Sequence, residues 1–184
     1  MLLDQATPAD LPAIAALVNS AYRGESSRQG WTTEADYLGG QRTDPETLAA
    51  ELAANPGARI MLLRDGADLL GTVRLEPKGG GTWYLGMLTV QPGRQDRGAG
   101  RALLTAAEDL ARSEGIQRLE MTVVSIRHEL ISWYERRGYM RTGETKPFPY
   151  DDPKFGEPLV EGLEFVVMEK SFRNKFLSGL RLAL

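Results

Sequence analysis

Apolar positions along the chain switch between helical and strand periods, and the switches mark the elements. Leu11, Ile14, Val18 and Tyr22 recur at helical spacing behind Thr7-Pro8-Ala9-Asp10, which offers a capping hydroxyl, a first-turn proline and a carboxylate. Asp44-Pro45 repeats that start, and Leu48 and Leu52 carry the stripe until Asn55-Pro56-Gly57 stops it. Between these helices, residues 23–43 form a polar loop with four glycines, at 24, 30, 39 and 40. A loop of that length in a compact domain points to function. Short apolar runs at 59–64 and 68–76 flank Asp65-Gly66-Ala67, a hairpin signal, and Thr82–Val90 reads as a third antiparallel strand. A helix over Ala99–Glu114 follows, burying Leu103, Leu104, Ala107 and Leu110 and stopping at Gly115. Leu119–Val124 alternates as a strand. Ser125 is placed to cap a helix that runs to Arg137 and ends at Gly138. Tyr139–Thr142 and Phe165–Lys170 read as the last strands, separated by a proline-rich loop over 147–158.

That order predicts an α/β fold of the α+β kind: a mostly antiparallel mixed sheet flanked by helices. At 184 residues and 42% apolar content, one domain over residues 1–170 is expected. Residues 171–184 form a tail whose Phe172, Phe176, Leu180 and Leu184 stand at steps of four. The tail is expected to pack on the domain or on a second copy, which leaves a homodimer open.

Composition narrows the chemistry. The chain has no cysteine, which excludes disulfides, thiolate metal sites and a cysteine nucleophile. Its one histidine, His128, argues against metal centres and a serine–histidine triad. Net charge is −3, with arginines spread along the chain, so nucleic acid is not an expected partner. No apolar run approaches the ~20 residues of a membrane helix, and the start has no basic signal-like region. A cytoplasmic protein without a membrane partner is expected.

The most informative stretch is Val90-Gln91-Pro92-Gly93-Arg94-Gln95-Asp96-Arg97-Gly98-Ala99-Gly100-Arg101. A strand ends, a glycine-bearing loop follows, and a helix begins within it. Amides at a helix start converge on an anion, and glycine lets the backbone approach a phosphate closely. The lysine of a P-loop is replaced by Ala99, and the third glycine of a dinucleotide fingerprint by Leu103. Gln95-x-x-Gly98-x-Gly100 after Val90-x-Pro92 resembles the acetyl-CoA signature of the GNAT superfamily of N-acetyltransferases. About thirty residues on, Trp133-Tyr134-Glu135-Arg136-Arg137-Gly138-Tyr139 resembles that family's second landmark.

The resemblance implies a sheet splayed between its fourth and fifth strands, with acetyl-CoA as co-substrate in the gap and no metal. It implies that the backbone of Leu88 and Val90 holds the pantetheine arm. The amides of Gln95, Asp96, Arg97, Gly98, Ala99, Gly100 and Arg101 would hold the pyrophosphate. Tyr134 matches the family's proton donor to the leaving thiolate. Arg127 stands where the family often has asparagine, and is either a CoA contact or a solvated helix-start residue. For a general base, Glu76 and Glu120 lie on neighbouring strands. The acceptor side is expected from Trp31, Glu34, Asp36 and Tyr37 in the first loop and Tyr150, Asp151 and Asp152 in the second, acids that suit an amine cation. The expected reaction is direct acetyl transfer to the primary amine of a small molecule or peptide. Alternatives are a protein N-terminal or lysine acetyltransferase, and a noncatalytic CoA-binding sensor.

Overall fold

The computed structural model describes residues 3–95 and 98–172. Asp96, Arg97 and the tail from residue 173, for which expectations were stated above, lie outside the described residues.

Strands β1 (Leu3–Gln5), β3 (Arg59–Asp65), β4 (Asp68–Gly79), β5 (Thr82–Val90), β6 (Arg118–Val124), β7 (Met140–Pro147) and β9 (Glu164–Ser171) form one seven-stranded sheet in the order β1-β3-β4-β5-β6-β9-β7. All neighbours are antiparallel except β5 and β6. A two-stranded sheet pairs β2 (Leu38–Gly39) with β8 (Glu157–Pro158) and joins the two long loops. The helices are α1 (Leu11–Tyr22), α2 (Gly24–Ser27), α3 (Pro45–Ala54), α4 (Ala99–Ser113) and α5 (His128–Glu135). None is long and apolar enough to cross a membrane among the described residues.

Strand β3 shows why a continuous apolar run forms here. Successive side chains leave a strand on opposite faces. Ile60 and Leu62 therefore pack with Leu11, Ile14, Val18 and Leu48 of α1 and α3. Met61 and Leu63 join Leu103, Leu104 and Ala107 of α4 on the other face. Gly71 permits the close approach of β4, because a Cβ there would lie 2.8 Å from the Thr89 carbonyl oxygen and 3.2 Å from Leu103.

The expected last helix is displaced. Ser125 gives its N–H to the Glu164 carbonyl, tying the turn to β9, and α5 begins at His128 behind Arg127. Leu110 is half-buried, whereas Glu108 and Ala111 complete the buried face of α4.

Two irregularities in β5 build the site. Thr72 faces Thr89 and Arg74 faces Gly86, so Val73 stands opposite both Met87 and Leu88. This bulge bends the strand, and Met87 takes φ 50° within it. The parallel pairing of β5 with β6 holds only from Thr82–Arg118 to Tyr84–Glu120. Beyond Tyr84 the strands part, and they are the fourth and fifth across the sheet.

Candidate active site

The gap between β5 and β6 opens into two cavities that meet. A cavity of about 230 Å³ is lined by Val90, Gln95, Gly98, Gly100, Arg101 and Arg137, and by Trp31, Thr32 and Trp133. A larger one of about 720 Å³ lies on the other side, between β4, β5, β6, α3 and the loops around Arg42 and Phe155. Tyr22, Leu88, Arg127, Leu130 and Tyr134 line both.

The smaller cavity has the character of an anion cradle with an apolar wall. Gly98 caps α4 with φ 78°, a conformation that favours glycine and turns the chain into the helix. At Gly100, a Cβ would already touch Trp133 at 3.6 Å and Val90 at 3.7 Å, so a larger side chain would fill the cradle. Arg137 lies over the Trp133 ring at 3.6 Å and donates to the Trp133 carbonyl. Burial, then the charges of Arg136 and Arg101, lower its affinity for its proton. Neither Arg101 nor Arg137 meets a carboxylate among the described residues. These groups fit a pyrophosphate.

Gln95 points its side chain inward. Its Oε1 accepts from the Trp31 N–H at 3.0 Å, and its Nε2 donates to the Thr32 hydroxyl at 2.9 Å and the Val90 carbonyl at 3.2 Å. Gly30 makes room, since a Cβ there would lie 2.6 Å from that amide. The same loop is held from the α5 side, where Arg127 donates to the Thr32 carbonyl at 2.7 Å and to Glu34 Oε1 at 3.0 Å. Glu34 Oε2 meets Arg23, which also donates to the Phe155 carbonyl. Arg127 is therefore not a solvated helix-start residue, its side chain being 10% exposed. It is buried in an ion-paired chain that joins both long loops to α5.

Tyr134 is 5% exposed and sits in an aromatic row, 5.0 Å from Trp133 and 5.5 Å from Tyr139. Burial is the main cause that pushes its phenol above the ordinary tyrosine range, so it is protonated at neutral pH. Tyr22 donates its hydroxyl to the Leu88 carbonyl at 2.6 Å, at the bulge.

The other expected residues are dispersed. Glu76 lines the larger cavity, with Oε1 on Arg74 at 2.5 Å. Glu120 lines neither cavity, because it lies at the paired end of β6 and is held by Lys78. Trp31 lines the smaller cavity rather than the larger, 6.2 Å from Trp133. Tyr150 is 41% exposed, lines neither cavity, and accepts the Leu163 N–H at 2.7 Å. Tyr22 and Arg42, both lining the larger cavity, carried no functional signal in the sequence. Tyr22 reads simply as the last member of an apolar stripe.

A mixed sheet that splays beside a bulged strand, with a glycine-turned helix start at the gap, defines a protein of the acyl-CoA-dependent transferase fold. Residues 15–139 match the acetyltransferase (GNAT) family, and the chain belongs to it. Mycothiol acetyltransferase of Beutenbergia cavernae is 37% identical over 82 residues, which covers 44% of this chain and 28% of that protein. The match thus spans little more than a quarter of that relative. Ribosomal-protein-alanine N-acetyltransferase from Brucella melitensis shares the fold with a TM-score of 0.68 and 21% identity, over 94% of this chain and 100% of that one. The Salmonella typhimurium protein yncA, solved with its cofactor acetyl-CoA, aligns with a TM-score of 0.67 and 20% identity over 95% of each chain.

Proposed function

We propose that the chain is an acetyl-CoA-dependent N-acetyltransferase that moves acetyl directly to the primary amine of a small molecule or peptide. The observation that carries this reading is the meeting of two cavities at Tyr22, Leu88, Arg127, Leu130 and Tyr134. A module that only sensed CoA would need the smaller cavity alone. A second cavity of about 720 Å³ at the same junction provides for an acceptor.

Acetyl-CoA supplies an activated thioester. The chain's part is to align the amine with it, move two protons and exclude water. Gly98, Ala99, Gly100 and Arg101 would hold the pyrophosphate, with Arg137 beside them and the Leu88–Val90 backbone along the pantetheine arm. As the N–C bond forms and the C–S bond breaks, Tyr134 gives its proton to the departing sulfur. The nitrogen loses one in turn, and Glu76 stands in the acceptor cavity to take it through water. Glu34 takes a structural part, its charge matched by Arg23 and Arg127.

The test is a panel of primary amines with acetyl-CoA, read as free CoA thiol. Amine-dependent release is expected. Tight acetyl-CoA binding by calorimetry with no amine-dependent release would instead make the protein a CoA sensor.

A further inference from the structure

The charges around the larger cavity are unevenly committed. Glu34 is matched by Arg23 and Arg127, and Glu51 and Glu76 both hold Arg74. Asp44 accepts the Thr47 N–H at 2.7 Å and the Thr47 hydroxyl at 2.9 Å, as the cap of α3. Arg42 lines the same cavity and meets no carboxylate among the described residues. Lys154 and Glu157 also line this cavity, and over the whole lining the formal charges balance, so Arg42, like Lys154, stands out by lacking a carboxylate partner among the described residues and not by a positive wall.

Arg42 is also held in place. Asn19 Oδ1 accepts the N–H groups of Arg42 at 2.7 Å and Thr43 at 3.2 Å, while Asn19 Nδ2 donates to the Thr43 carbonyl. Asn19 lies three residues before Tyr22 on α1, a rise of about 4.5 Å along the helix. Tyr22 carries its hydroxyl to Leu88, where the cavities join. The backbone that carries the guanidinium is therefore tied to the helix whose last residue, Tyr22, reaches the junction of the cavities.

We propose that the acceptor is an amino acid, an amine with an acidic group a few bonds away, and that Arg42 holds that acidic group while the nitrogen is acetylated. A planar guanidinium suits a carboxylate, with two parallel hydrogen bonds.

This inference rests on the acetyl-transfer reading, and matched acceptors separate the two. Free α-amino acids are compared with their α-amides by kcat/KM, following CoA release. The free acids are expected to be preferred by roughly ten- to a hundredfold, the worth of a charged hydrogen bond. Arg42→Gln should erase the preference and Arg42→Lys should keep part of it, with the acetyl-CoA Kd unchanged in calorimetry as evidence of an intact fold. Amides used as well as acids, or a preference that survives Arg42→Gln, overturns the role of Arg42 and leaves acetyl transfer standing. No CoA release with any member of a pair, while another primary amine is acetylated, overturns the amino-acid acceptor alone; no release with any amine overturns both.

Discussion

At the scale of single residues, Tyr134 at the junction of the cavities and Gly100 in the smaller one have separable duties. Tyr134→Phe removes one hydroxyl and keeps the ring among Trp133 and Tyr139. Loss of a general acid costs about 10²–10⁴ in rate. The expected result is that fall in kcat, with the acetyl-CoA Kd nearly constant, because the proton is needed only as the C–S bond breaks. Near-normal kcat in a folded variant would leave water as the donor. Gly100→Val tests the cradle. Its methyls would add bulk beside Trp133 and Val90 in the cavity proposed for the pyrophosphate, so calorimetry should show weaker acetyl-CoA binding by a protein that melts normally. That Tyr134 and Gly100 line one cavity was legible in the sequence, because each belongs to a motif contained in one short segment. Arg127 was not. Its partners Thr32 and Glu34 lie more than ninety positions away, and no local period encodes such a meeting.

At the scale of elements, what the chain pattern shows depends on how much each segment buries. β3, β4, β5, α3 and α4 were legible because each carries a run or stripe that fills a core. β1 spans three residues and β2 and β8 two each, too short to show any alternation. β7 runs to Pro147 with nearly every side chain exposed, so only its pairing with β9 makes it a strand. The 30–34 segment gains its shape from contacts at both ends, Gln95 on one side and Arg127 on the other. Arg127→Met would leave Glu34 with Arg23 alone and the Thr32 carbonyl without its donor. Breaking a buried ion pair costs about 3–5 kcal/mol. Urea unfolding should show a loss near the lower figure, since Arg23 remains, and acetyl-CoA should bind more weakly as Trp31 loses its mooring. An unchanged unfolding midpoint would mean the pair contributes nothing net.

At the scale of the whole molecule, the row of buried phenols sets an alkaline limit. Burial is the first cause raising Tyr22, Tyr134 and Tyr139 above the ordinary value of 10.0. Below about pH 10 the phenols keep their protons whether the chain is folded or unfolded, and their contribution is constant. Above it the unfolded chain ionises first, so stability falls as pH rises toward the folded values. The melting temperature should hold between pH 7 and 9 and drop beyond 10, and Tyr134→Phe should lessen the slope. A flat profile to pH 11 would remove these phenols from the account.

The parting of β5 and β6 has a mechanical consequence. A sheet usually behaves as one plate, but here three rungs of parallel ladder are a hinge pin between two half-plates, β1-β3-β4-β5 and β6-β9-β7. An extended ligand laid in the notch replaces the missing rungs, so occupancy splices the plate. Amides of residues 85–90 and 121–124 should then exchange with solvent more slowly when acetyl-CoA is bound, on both sides of the notch at once. Laid there as proposed, acetyl-CoA would be, while it stays, a structural member of the fold.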